Sequence, residues 1–124
     1  MAISKTAAIF RKTGETLDYV AAAADVPCGA LLSVSGLNCL ALSAIAQGDA
    51  GALKILQRGE VIEVTTDEAI GETAAGTAIY LIPASGLVTK SADDGEDAPT
   101  AYPLLGYTAK AIGADGLSFD VVCV

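Results

Sequence analysis

The chain contains no histidine and no tryptophan. Without histidine, a Ser-His-Asp or Cys-His nucleophile cannot be built. The side chain that most often moves protons at neutral pH is also missing. Carboxylates alone can still hydrolyse glycosides. The acidic residues here gather in turn-like stretches such as Asp93-Asp94-Gly95-Glu96-Asp97, however, which does not suggest a buried, positioned pair. Aromatic residues are only 5% of the chain, so stacking platforms for sugars or single-stranded nucleic acid are scarce. Cations are scarce as well. Seven Lys plus Arg stand against 15 Asp plus Glu, a formal charge of -8. That balance argues against nucleic acid as a partner, because binding a phosphate backbone needs clustered cations. It argues equally against docking on an anionic membrane. No apolar run reaches the roughly 18 residues a spanning helix needs. Arg11 and Lys12 interrupt any signal-like N-terminal stretch, so synthesis and folding in a cytoplasm are expected.

Cysteine is limited to Cys28, Cys39 and Cys123, an odd number with no CxxC pair. With histidine absent, a zinc site would need thiolates and carboxylates alone. The reading is buried, reduced thiols with no metal and no cofactor. Glycines are frequent, but none falls in a Walker frame or opens a helix in the dinucleotide-binding pattern. Gly29, Gly36, Gly48, Gly59, Gly71 and Gly86 read instead as turn residues that tolerate positive φ.

Between those turns the chain is made of short apolar runs. Leu17, Tyr19 and Ala21 alternate with Asp18, a half-buried strand pattern. Ala30 to Val34 and Cys39 to Leu42 flank Ser35-Gly36-Leu37-Asn38 and read as a hairpin. Leu53, Ile55 and Gln57 alternate with Lys54, and Val61 to Thr65 is the clearest β-branched run. Strands are also expected at Thr77 to Ile82, Leu87 to Lys90, Leu104 to Ala109 and Leu117 to Val124. Thr66 or Asp67 followed by acidic residues and Gly71 predicts one short helical turn over Asp67 to Ile70. Ser91 to Thr100 reads as an exposed loop, its charges a solvated face. Their spacing does not fit the calcium loop of an EF-hand. Many short strands with glycine-rich turns predict an all-β fold, a small barrel or sandwich of antiparallel strands. The chain ends in Val121-Val122-Cys123-Val124, so the C-terminus is expected to be fixed inside a sheet.

Five stretches in order carry a resemblance to a known family. They are P-C-G-A-L-L-S-V-S-G-L-N-C-L-A-L from Pro27, A-Q-G-D-A-G-A-L-K-I-L-Q-R-G-E-V-I-E-V from Ala46, A-A-G-T-A-I-Y-L from Ala74, G-L-V-T-K from Gly86, and the closing run from Leu104 to Val124. This order resembles the small capsid decoration (cement) proteins of tailed bacteriophages. Two departures are visible. Gly76-Thr77-Ala78-Ile79-Tyr80-Leu81 stands where the family often has G-D-x-V-Y-W, and the acidic segment Ser91 to Thr100 is long. The resemblance implies a non-enzymatic virion protein on the capsid outer surface, made in the host bacterial cytoplasm. Its partners would be the major capsid protein and further copies of itself, as a homotrimer.

A protein of that kind needs a compact β body and an extended arm or edge to engage its partner. Residues 1–12 read as an N-terminal arm or edge strand, and residues 13–124 as a single β domain. Lys5, Arg11 and Lys12 are three of the seven cations, and they flank the apolar Ala7, Ala8, Ile9 and Phe10. Lys5, Ile9, Phe10, Arg11 and Lys12 are therefore the candidate contacts to capsid or neighbouring subunit. The bland alternative is an ordinary chain terminus. Subunit contacts are expected first around the runs at Leu31 and Val61. The competing functional reading is a non-enzymatic β-barrel module for adhesion or ligand binding. It would be monomeric with a concave, polar-lined pocket.

Overall fold

The computed structural model describes residues 16–124. The described residues form nine strands and no helix: β1 (Thr16–Val20), β2 (Leu31–Val34), β3 (Leu37–Ala41), β4 (Ala50–Ile55), β5 (Val61–Thr65), β6 (Ala78–Ile82), β7 (Leu87–Thr89), β8 (Leu104–Thr108) and β9 (Ser118–Cys123). They pair into two antiparallel sheets, ordered β1-β4-β3-β2 and β5-β9-β8-β6-β7. The fold is thus all-β. Neither sheet closes into a barrel, which leaves the sandwich-like arrangement of the two expected forms.

One local device starts four of the nine strands, β2, β4, β5 and β6. A buried residue is followed by two more residues, then by a glycine with positive φ. The examples are Val26 before Gly29, Ile45 before Gly48, Leu56 before Gly59 and Thr73 before Gly76. In the first three, a tight turn closes by backbone bonds: Ala30 N–H to Pro27 O, Asp49 N–H to Ala46 O, and Glu60 N–H to Gln57 O. Glycine sits third in each turn, with φ of 85° to 88°. Such turns require positive φ there. The glycine N–H is then free to hold the end of another segment. Gly29 donates to Ala41 O, Gly48 to Ala21 O, Gly59 to Cys123 O and Gly76 to Thr108 O. At Gly76 a side chain completes the turn instead. Thr108 Oγ1 accepts from Thr77 N–H at 3.0 Å and donates to Ala74 O at 2.9 Å. All six glycines expected in turns have positive φ.

Two of the isolated bridges hold these turns: one joins the Val26 and Ile45 turns to each other, and the other joins the Thr73 turn to Ile112. Val26 and Ile45 exchange two backbone bonds of 2.8 Å, and Thr73 and Ile112 exchange bonds of 3.0 and 2.8 Å. Each bridge caps one sheet. Val26 and Ile45 join Ala21, Cys39, Ala41 and Leu53 in the core of the four-stranded sheet. Ile112 joins Leu56, Val64, Ile79, Leu105, Phe119, Val121 and Cys123 in the core of the five-stranded sheet. Leu31 and Leu40 lie on the opposite face of the first sheet and pack against the second core. A hydrogen bond from Asn38 Nδ2 to Leu104 O (2.8 Å) also links the two sheets.

The β2–β3 hairpin is tighter than expected. Its loop is Ser35-Gly36 alone, with φ of 51° and 82°, and Leu37 and Asn38 belong to β3. Two positive φ values in a two-residue loop match the right-handed twist of the strands. The terminal run is paired as expected: β9 lies between β5 and β8. At Ile79/Tyr80 the β6–β8 register shifts, a bulge at the segment that departs from the family pattern.

The helical turn expected over Asp67 to Ile70 does not form; the segment is an irregular bend. A capping hydroxyl would accept a backbone N–H. Thr66 Oγ1 instead donates to Glu68 O at 2.7 Å, and Thr66 N–H donates to Leu117 O at 2.8 Å. Ile70 is drawn onto the core of the five-stranded sheet. Tertiary partners thus take the groups a helix would have used.

Gly106 in β8 has no room for a side chain. A Cβ there would collide with the Val122 carbonyl and lie 2.9 Å from Val121 Cγ1. Gly106→Ala is expected to cost about 1–3 kcal/mol through overpacking. Gly113, whose φ is not left-handed, has nothing within 4 Å of a Cβ. Gly113→Ala is expected to be neutral or to stabilise by up to about 1 kcal/mol. Urea titration of the two variants beside the unaltered chain checks both.

Candidate interaction surface

The two runs singled out for subunit contact come together in space. Residues 29–31, Leu40, all of β5 and residues 86–88 line one groove of about 560 Å³. Leu31, Leu40, Ile62, Val64 and Val88 give it apolar lining. Val61 and Leu87 are each 58% exposed, the most exposed of the large hydrophobic side chains among the described residues. Glu63 and Asp67 are the charged residues among its lining, and no cation is there. Both β5 and β7 are edge strands of the same sheet, so two open strand edges meet one cleft. An open edge offers a row of backbone donors and acceptors to another chain.

Lys5, Ile9, Phe10, Arg11 and Lys12, the candidate contacts, lie outside the described residues. The groove was not legible as a groove. Its signal was the pair of apolar runs, and their convergence depends on how far the five-stranded sheet curls.

The acidic loop is exposed throughout residues 91–100. Its carboxylates hold its own backbone. Asp94 Oδ1 accepts from the N–H groups of Glu96 (3.2 Å) and Thr100 (3.1 Å), and Asp93 Oδ1 from Gly95 N–H (2.9 Å). The bond from Glu96 N–H, then that from Thr100 N–H, lowers the Asp94 pKa. Glu60, at the entrance to β5, is lowered first by the side chain of Lys54 and then by Gln57 N–H. Lys54 Nζ lies 2.9 Å from Glu60 Oε2. No group of three or more His, Cys, Asp or Glu placed to hold a metal occurs among the described residues.

All three cysteines are free. Cys39 and Cys123 are buried, and burial raises both thiol pKa values. Cys28 corrects the expectation of buried thiols. It sits exposed in the turn before β2, where its Sγ points to Leu42 O at 3.4 Å.

Two outcomes follow from this surface. In folded, unreduced protein a small alkylating reagent should label Cys28 alone, with Cys39 and Cys123 labelled only on unfolding; mass spectrometry counts the adducts. Lowered carboxylate pKa values contribute order that is fully present above the ordinary carboxylate range, near pH 4, and lost as pH falls from there through the lowered values. Amide protection at Gln57, Glu96 and Thr100 should therefore hold from pH 7 to about 5 and decline below about 4.

A family model described as phage cement protein matches residues 11–123. No curated protein and no solved structure matches the chain.

Proposed function

The chain belongs to the phage cement protein family, and from that premise we propose that it binds the outside of an assembled phage capsid and stabilises it as a trimer. Membership carries the coarser statement, a structural role associated with the capsid. The observation behind it is the span of the match, which runs through all nine strands. The proposed partners are the major capsid protein and further copies of this chain. The role needs no catalytic group, and a chain without histidine is in keeping with it.

The proposed grip is the N-terminal arm, residues 2–12, with Lys5, Ile9, Phe10, Arg11 and Lys12 contacting the shell or a neighbouring subunit. Residues 1–12 carry three cations and no carboxylate, whereas the other 112 residues carry all 15 carboxylates and four cations. The arm is thus the one cationic stretch on an acidic chain. Fixing a backbone residue costs roughly 1–2 kcal/mol. Full burial of Ile9 and Phe10 returns only about 3–6 kcal/mol in all. Two side chains cannot offset the ordering of eleven residues, so the grip must include backbone pairing with an existing strand.

The test is sedimentation with assembled shells. The full chain should pellet with them. A variant beginning at Thr13, shown by circular dichroism to be folded, should bind at least about tenfold more weakly, a loss of roughly 1.4 kcal/mol or more. Equal binding by the shortened chain would place the grip on the β body. Failure of the full chain to pellet would refute capsid binding.

A further inference from the structure

The groove between β5 and β7 is built to take one more strand. Side chains alternate faces along a strand. Yet five consecutive residues of β5, 61–65, line the groove, so its wall is the backbone edge itself. The hydrogen-bond phase says which groups face it. Cys123 N–H donates to Glu60 O, and Thr66 N–H donates to Leu117 O. With an unbroken register between them, residues 60, 62, 64 and 66 turn toward β9. Val61, Glu63 and Thr65 therefore turn their N–H and C=O groups outward, into the groove.

We propose that residues 5–12 of a second copy of this chain lie in this groove as a strand added to β5. This rests on the reading of those residues as the arm and assigns its receptor to a neighbouring subunit. Chemistry selects the segment. The groove is apolar with Glu63 and Asp67 as its only charges. Lys5-Thr6-Ala7-Ala8-Ile9-Phe10-Arg11-Lys12 pairs a small apolar run with a cation at one end and two at the other. Extended, it is about 26 Å long and covers the five residues of β5 with its charges near the ends.

Thr16, Lys54, Leu40 and Leu31 form one row across the four-stranded sheet. Groove-lining Leu40 is two interstrand spacings, about 10 Å, from Thr16. Lys54, paired with Thr16, also reaches Glu60 at the entrance to β5. The chain's own segment is therefore the competing occupant, and it would leave the unaltered chain monomeric. A second copy is the occupant proposed because two open strand edges meet at the groove, with Val61 and Leu87 beside it each 58% exposed.

The experiment mixes two folded chains in the absence of capsids, so its result is independent of capsid binding. One chain begins at Thr13 and has a groove but no segment. The other is full-length Glu63→Pro, which has the segment but a blocked groove. Proline at 63 removes an N–H that faces outward and keeps the ladder to β9. Sedimentation velocity at micromolar concentration should show the unaltered chain associated, each variant alone monomeric, and their mixture forming a 1:1 complex. Should Glu63→Pro fail to fold, Glu63→Lys/Asp67→Lys replaces it. That pair keeps every backbone donor, and should weaken association at least about tenfold in low salt and much less in high salt. The proposal is overturned if the unaltered chain is monomeric, if the Thr13 chain or the groove variant associates as tightly as the unaltered one, or if the mixture stays monomeric.

Discussion

A backbone N–H held out by a glycine in the left-handed region is the interaction on which the rest of this structure depends. In each turn the glycine N–H would otherwise face solvent. Here it clasps a carbonyl at or just past a strand end: Ala41, Thr108, Cys123 and Ala21. The buried residue three positions earlier sets the turn against a core. An L side chain in that conformation costs about 1–2 kcal/mol, so the clasp favours glycine through its backbone conformation, although a Cβ there would meet nothing within 4 Å. Because the device recurs, short strands of three to six residues can be stacked without helices.

The clasps explain why each sheet has its own core. The Val26–Ile45 bridge covers the four-stranded sheet, and the Thr73–Ile112 bridge belongs to the five-stranded one. Little apolar surface is then left to join the sheets. Leu31, Leu40 and the bond from Asn38 to Leu104 carry much of that joint. The five-stranded sheet curls around it without meeting itself, and β5 and β7 stay unpaired. An open cleft is therefore a consequence of how the strands are started, with its lining set by the residues that join the sheets.

Much of this fold was legible in the sequence, because its two controlling features are local. Positive-φ turns announce themselves as glycine, and half-buried strands as alternation, as in Leu17 and Tyr19 of β1 or Val64 of β5. What local pattern could not show was competition from distant partners. Asp67 to Ile70 has a helix-start composition, but Leu117 and the core take its groups. Cys28 stands close to apolar residues in the chain, yet it lies in the exposed turn that ends at Gly29 and Ala30. The repeat of a buried residue three before a glycine was present in the sequence and readable; its bridges were not, because Val26–Ile45 and Thr73–Ile112 pair across 19 and 39 positions. The site was legible in part: the Leu31 and Val61 runs were identified, and their meeting in one groove was not.

An open strand edge beside exposed Val61 and Leu87 invites uncontrolled pairing between copies. Charge is the natural restraint. Residues 13–124 carry a strong negative excess, so two bodies approaching edge to edge repel one another. Glu63 places one of those charges on the open strand itself and Asp67 another beside it. In the proposed arrangement, the same charges that discourage a second β5 edge attract the cationic segment, with apolar burial supplying affinity and charge supplying choice. The acidity that argues against nucleic acid and membrane is, in the proposed arrangement, a means of governing the edge the fold leaves open.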